Sequence, residues 1–312
     1  LTSHKKVNMA FFGTLAGKIV KVYLLLTLGF VVLYPLLYMI SQAVRAWDDL
    51  YDPSVIWFPK NFSMDSFKTA FRVMDYPKTA LNTALISLTA TLLQLVSCSC
   101  AGYGFARFNF RFKRLFFALC LFSIVVPMQM IMIPSYMQMQ SFNVLGIGFI
   151  IKLFTGSYPD IYNTPLAIFI PALLANGIRG SMYIFIFRQF FRGLPRDLED
   201  ASNIDGAGFL QTFLRVIVPL SGPPFLVVFL LSTLWYWNDG ITVSFFFDSA
   251  QTIGARLVNI IGANAISGGE FTITQILAFQ QAGALLTIAP PLILFLFLQR
   301  RFVESIDKTG LK

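Results

Sequence analysis

Histidine, cysteine and charge are scarce in this chain, and each scarcity closes off a class of function. The one histidine, His4, lies in a polar stretch near the beginning, which excludes imidazole general-base chemistry and multi-histidine metal sites. Three cysteines, Cys98, Cys100 and Cys120, all fall inside apolar runs. Odd in number, they point to no disulfide framework or zinc cluster and read as small buried hydrophobes. Only 12% of the 312 residues are charged while 56% are hydrophobic, against roughly 25% charged in an average soluble protein. That leaves too little polar surface for a globule in water. The natural solvent is a bilayer.

What the chain has is apolar length. A hydrocarbon core about 30 Å thick takes about 20 apolar residues of helix, and six runs qualify: roughly Ile19 to Ile40, Thr79 to Ala101, Leu115 to Tyr136, Pro165 to Phe187, Val216 to Trp237 and Ala278 to Leu298. Prolines within them (Pro35, Pro127, Pro134, Pro171, Pro219, Pro290, Pro291) predict kinks, which membrane helices tolerate because neighbours satisfy the freed carbonyls. Counting Lys21, at the edge of the first run, with the N-terminal tail, sixteen of the 24 Lys and Arg residues lie in the two terminal stretches and the second and fourth loops. The positive-inside rule then places both termini and the even loops on the cytoplasmic side. The net charge of +9 is therefore topological, and the case for nucleic acid falls away. FRFKRLFF around Arg111 reads as an anchor at the lipid surface. The first run is long for the core of a cleavable signal peptide and no small-residue cleavage site follows it, so it is expected to stay as a span. The resulting division is a cytoplasmic tail 1–18, a six-span domain 19–298 and a cytoplasmic tail 299–312.

The connection between the fourth and fifth runs is long, polar and patterned, reading RGLPRDLEDASNIDGAGFLQTFLRVIVPLSGPP from Arg192 to Pro224. Pro195 suits a first helical position, and Asp197, Glu199 and Asp200 complement the positive end of a helix dipole. Gly206 stops that helix, since glycine adopts the left-handed conformation at little cost. Phe209, Leu210, Phe213, Leu214 and Ile217 then recur at helical spacing and end at Pro219. This spacing predicts a helix, a turn and a second helix along the membrane face over about 192–222. Two readings fit: a knob for another protein's groove, and a plain surface connector.

The segment resembles the EAA loop of permease subunits of bacterial ABC importers, whose pattern is Glu-Ala-Ala, three residues, Gly, nine residues, then an Ile-x-Leu-Pro-like end. Here the match is Asp200, Ala201, Ser202, three residues, Gly206, nine residues, then Val216, Ile217, Val218 and Pro219. Asp200 replaces the family's glutamate on a shorter arm, and Ser202 replaces the second alanine. AGYGFARFNFRFKRLFFAL (Ala101 to Leu119), WYWNDG (Trp235 to Gly240) and LQRRFVESIDKTGLK (Leu298 to Lys312) are similar to segments of the carbohydrate-uptake subgroup, particularly its maltose-type second permease subunit. A stretch around Gly148 to Tyr162 departs from that pattern and reads as an insertion in contact with an external partner.

The resemblance implies an all-α integral membrane protein of the bacterial cytoplasmic (inner) membrane, with six transmembrane helices of the type I ABC importer kind and a cytoplasmic coupling-helix loop. It implies a non-catalytic subunit importing a sugar or oligosaccharide. Its implied partners are a second homologous permease subunit, two cytoplasmic ATPase subunits and an extracytoplasmic solute-binding protein, with lipid around it and no nucleic acid. No cofactor is expected on this chain, since ATP and magnesium belong to the partner ATPase. GTLAGKI, Gly13 to Ile19, has three residues between glycines where a phosphate loop needs four, and Ile19 where Ser or Thr should hold magnesium.

The residues implied to couple to the ATPase are Glu199, Asp200, Ala201, Ser202, Asp205, Gly206 and Ala207, with Asp200 meeting an arginine of the partner. Sugars are held by polar groups and aromatic faces, so Trp235, Trp237, Asn238 and Asp239 are candidates for the translocation path, with Gln94 and Gln129 as polar residues inside spans. The aromatic cluster equally fits an interfacial belt, and the glutamines equally fit hydrogen bonds between helices. Arg179, inside the fourth run, either faces a cavity or partner or marks a break with the span beginning after Gly180. Two alternatives stand beside the sugar importer. One is an ABC permease for a non-sugar solute. The other is an ion-gradient-driven secondary transporter, which expects intramembrane carboxylates, whereas all fifteen acids fall in loops, tails or span ends.

Overall fold

The computed structural model describes residues 2–55, 57–144, 146–247, 252–260 and 271–310, and side chains between 17 and 300 within those ranges. The side chains of His4, Lys5, Lys6 and the C-terminal basic residues from Arg301 onward lie outside the described residues. The chain divides into two compact units, Leu1–Arg72 with Asn264–Leu286, and Val73–Ala263 with Thr287–Lys312.

In the first unit α1 (Thr2–Ala43) is a single helix that passes through Pro35. It begins well ahead of Ile19, so GTLAGKI lies inside a helix. A helix commits its backbone N–H groups to its own carbonyls, so this segment cannot form the cradle of free N–H groups that a phosphate loop requires. From Leu24 to Leu33 the large apolar side chains are exposed, as expected of a surface bathed in lipid. After α1 the chain turns through Asp48–Tyr51. The Asp49 carboxylate accepts the Asn61 backbone N–H at 2.6 Å and its side-chain amide at 3.0 Å, and these donors hold it below the usual carboxylate range. α2 (Asp65–Val73) follows. Trp47 meets Phe271 edge-on at 5.7 Å, and the Tyr51 and Thr272 hydroxyls lie 2.6 Å apart.

The second unit is organised around α3 (Tyr76–Arg107). One face buries Thr79, Thr83, Ser87, Thr91, Gln94, Cys98 and Gly102, whereas Leu81, Leu85, Leu88, Leu92 and Val96 are exposed. For a soluble helix this would be inside out. In lipid no hydrophobic force drives helices together, so small residues that permit close approach and polar residues that bond across helices go inside. Thr91 Oγ1 donates to Ser232 Oγ at 3.1 Å. A Cβ at Gly102 would lie 2.6 Å from the Phe187 Cβ and 3.1 Å from the Arg188 nitrogen, so only glycine lets the two backbones approach this closely. Further along, Tyr103, Phe187, Phe191, Phe213 and Ile217 form an aromatic core.

Three of the six predicted runs are broken. α4 (Lys113–Val125) and α5 (Met128–Gln140) cover the third but meet at 109°, because Val126 before Pro127 is forced into an extended conformation. α6 (Ile147–Thr155) occupies much of the insertion, bounded by Gly146 and Gly156 at positive φ, with Phe149, Leu153 and Phe154 exposed. The fourth run divides into α7 (Leu166–Leu173) and α8 (Gly180–Gly193). The loop elements α9 (Asp197–Ile204), α10 (Phe209–Thr212), a π turn (Phe213–Ile217) and α11 (Val218–Leu220) come next. The fifth run starts later than expected, as α12 (Gly222–Asn238), since Pro223 and Pro224 lack N–H groups and suit a new first turn. Two short helices, α13 (Thr242–Phe246) and α14 (Ile253–Val258), precede α15 (Ile273–Gly310). Among the described residues, α1, α3 and α15 alone are single helices long and apolar enough to cross a membrane, joined by two bent pairs that pass the same test. No strand occurs among the described residues.

Candidate functional site

α9 is a one-sided platform. Its helical bonding starts at Arg196, whose carbonyl accepts Glu199 and Asp200 N–H, one residue beyond Pro195. It ends in a Schellman turn: Ala207 N–H reaches the Ser202 carbonyl and Gly206 N–H the Asn203 carbonyl, both at 3.0 Å. Gly206 takes φ +78°, the left-handed stop expected from the sequence. Nothing lies within 4 Å of where its Cβ would be, so its requirement for glycine is one of backbone conformation alone.

The seven expected coupling residues divide between two faces. Asp200, Ala201, Asp205 and Gly206 are exposed and Ala207 is half-buried. Glu199 and Ser202 turn inward instead, because each has a partner in its own chain. Glu199 Oε1 accepts the Tyr103 hydroxyl at 2.7 Å and lies 3.0 Å from Arg107 Nε. Arg107 also donates to the Leu194 carbonyl at 2.8 Å. Ser202 Oγ lies 2.8 Å from Thr212 Oγ1, joining α9 to α10. Tyr103 stacks on Phe209 at 5.5 Å and packs against Phe213 at 4.9 Å. The platform is therefore tied to the end of α3 by an ion pair, a charge-assisted hydrogen bond and an aromatic stack.

Sequence reasoning passed over Ile204, which is 86% exposed at the end of α9, and read Leu210 and Leu214 only as members of the helical repeat, although both are exposed. A large aliphatic at the end of a mostly polar helix, two residues before the glycine stop, was the available signal. It also passed over Tyr103 and Arg107, whose roles emerge only from the packing of α3 against the loop.

The second loop helix does not end at Pro219. The Val218 N–H reaches back to the Phe213 carbonyl, a π-type bond that widens the turn ahead of a residue with no N–H of its own. The chain bends by 79° only between Phe209–Leu220 and Gly222–Asn238. Thus the loop runs directly into α12.

The break between α7 and α8 is held from inside. Gln94 Nε2 donates to the Ile178 carbonyl at 2.9 Å, and the Ile178 N–H donates to the Tyr236 hydroxyl at 3.2 Å. Ala175 and Arg179 both take left-handed φ, 59° and 58°. Arg179 is exposed, its Cζ 4.4 Å from the centroid of the Trp235 ring. A break does fall at Arg179, and α8 starts at Gly180.

The expected path residues do not share one surface. Gln94 is wholly buried, and Ser232 Oγ donates to its Oε1 at 3.4 Å. Trp237 is also buried, its Nε1 donating to the Thr287 carbonyl at 2.9 Å. Both belong to the helix-to-helix bonding that the sequence left open for Gln94. Trp235 and Asn238 are exposed, and Asn238 Nδ2 donates to the Leu234 carbonyl. Asp239 accepts the Ile241 and Thr242 N–H groups, fixing the turn after α12. Gln129 is exposed on the first turn of α5. Among the described residues no group of His, Cys, Asp or Glu could hold a metal ion.

The family described as binding-protein-dependent transport system inner membrane component matches residues 96–308. The chain is 28% identical over 298 residues, 92% of its length and 96% of the relative's, to the arabinooligosaccharides transport system permease protein AraQ of Halalkalibacterium halodurans. It is 30% identical over 292 residues, covering 93% of itself and 95% of the relative, to the maltodextrin transport system permease protein MdxG of Bacillus subtilis. Its fold is similar to a chain in the crystal structure of a bacterial ABC transporter involved in the import of the acidic polysaccharide alginate, with a TM-score of 0.67, 18% identity, and coverage of 92% of this chain and 96% of that one.

Proposed function

The chain belongs to the binding-protein-dependent transport system inner membrane components, and on that premise we propose that it is the permease subunit of an ATP-driven importer of an oligosaccharide. It is a multi-pass membrane protein whose relatives are permeases and not enzymes. The sugar class rests on the arabinooligosaccharide and maltodextrin relatives. In this reading six crossings arise from α1, α3, the α4–α5 pair, the α7–α8 pair, α12 and α15, with both termini and α9 on the cytoplasmic side, an orientation supported by the distribution of Lys and Arg. A second permease, two ATPase subunits that bind ATP and magnesium, and an external solute-binding protein complete the transporter.

The observation that carries the coupling role is the two-sided construction of α9. Asp200, Ala201, Ile204 and Asp205 are free to enter a cleft on an ATPase subunit, while Glu199 and Ser202 fix the helix to α3 and α10. Motion imposed on α9 then passes along α10 and α11 into α12. Trp235 and Asn238 are the exposed members of the candidate path, and Asp239 shapes the turn beside them.

The test is to purify the tagged chain from its own membranes, identify co-purifying subunits and cross-link an Ile204→Cys variant to them. ATP-driven saccharide uptake by the reconstituted complex and an Ile204→Cys adduct on an ATPase subunit are expected. Uptake driven by an ion gradient in the isolated chain would overturn the reading.

A further inference from the structure

We propose that Arg179 and Trp235 form a binding contact for a saccharide that carries an anionic group, a carboxylate above all, on its way through the membrane. The inference rests on the importer reading and adds to it the charge class of the cargo and the residue that selects for it.

Depth is the first consideration. Arg179 lies thirteen residues before Arg192 at the other end of α8, and Trp235 thirteen residues beyond the first residue of α12. At 1.5 Å per residue each is about 20 Å from the loop end of its helix, well inside a hydrocarbon core about 30 Å thick. An arginine at that depth facing lipid is costly, so such residues face a water-filled route or a partner.

Arg179 is exposed, and among the described residues no carboxylate pairs with it and no acceptor takes its guanidinium N–H groups. Among the described residues its guanidinium meets the indole of Trp235. A guanidinium over an aromatic ring is held by the attraction between cation and ring, and N–H groups without an acceptor remain to receive a carboxylate in a bidentate pair. Trp235 itself is 42% exposed, leaving ring surface for the apolar face of a pyranose.

The position is also enforced. Left-handed backbone at two non-glycine residues, Ala175 and Arg179, is strained, and it persists because the surroundings determine it. Gln94 and Tyr236 grip Ile178 from both sides. Gly177 and Gly180 leave no room for rearrangement, since a Cβ at Gly177 would meet the Tyr236 hydroxyl and one at Gly180 the Ala175 carbonyl. A helical Arg179 would need none of this. Non-helical backbone at membrane depth is found where it is buried in protein or lines a cavity. Here its inner side is buried and its outer side presents a cation.

The experiment uses the purified complete transporter in proteoliposomes, with trigalacturonate and maltotriose as probes delivered by its own binding protein. The wild type is expected to take up trigalacturonate in an ATP-dependent manner. Arg179→Gln is expected to lower that uptake at least about tenfold, the loss of one charge-assisted hydrogen-bonded contact, and Arg179→Lys to recover part of it. Co-purification of the second permease controls for assembly. Wild-type uptake of maltotriose alone, or undiminished trigalacturonate uptake by Arg179→Gln, would overturn the proposal while leaving the importer reading intact. Loss of the second permease from the Arg179→Gln complex would assign Arg179 to the subunit interface and would also overturn it. Failure of the wild type to drive either probe with ATP would bring down the importer reading itself.

Discussion

The Tyr103 hydroxyl donates to Glu199 Oε1 across 2.7 Å, linking the end of α3 to the first turn of the exposed loop helix. Ninety-six residues separate them in sequence. The bond is charge-assisted and sits beside the Arg107 ion pair, so α9 cannot swing without stretching it.

Tyr103→Phe keeps the stack on Phe209 and removes only the donor. A loss of about 1–2 kcal/mol is expected, with saccharide-stimulated ATP hydrolysis down several-fold in a complex that still assembles. Glu199→Gln, which retains an acceptor but drops the ion pair, should fall between this variant and the wild type. Full stimulation in both would show that the tether plays no part in coupling.

Gly206 is left-handed in open space, so substitutions there act through backbone conformation and not through collision. Valine at this position costs about 1–2 kcal/mol and is expected to reorient the segment after α9, whereas asparagine, which tolerates this region, is expected to be mild. ATPase stimulation measured across Gly206→Asn, Gly206→Ala and Gly206→Val should fall in that order. An unchanged Gly206→Val transporter would remove the assigned role.

Gln94→Leu leaves the Ile178 carbonyl without its donor inside the protein. The expected cost is about 1–3 kcal/mol, visible as a lower melting temperature in detergent and as faster amide exchange over 176–182. Equal protection in variant and wild type would mean that Tyr236 holds the break alone.

The loop was legible because its signals are local: acids in a first turn, a glycine stop and an aliphatic repeat need no knowledge of the remaining chain. The division of its residues between inward and outward faces was not, since Glu199 and Asp200 differ by one position and only Tyr103 and Arg107 decide which carboxylate is occupied. Runs of apolar residues located the membrane segments, but hydropathy is blind to direction. The 216–220 stretch is as apolar as the span it was joined to, and its separate course is set by two adjacent prolines and a π turn. Arg179 was conspicuous as a charge in an apolar run. Its contact with Trp235, fifty-six residues away, depends on α8 and α12 flanking the same break, which no local pattern records.

The bend of 79° makes the chain from Phe209 to Asn238 a bell crank, one arm being the second half of the loop and the other standing beside the break. Trp235 sits about 20 Å along the upright arm, so a swing of ten degrees at the elbow carries its ring through about 3.5 Å, close to the 4.4 Å that now separates it from the Arg179 guanidinium. A small stroke at the base is thus geared to a displacement of the Arg179–Trp235 contact at the top, with no intermediate part that has to refold.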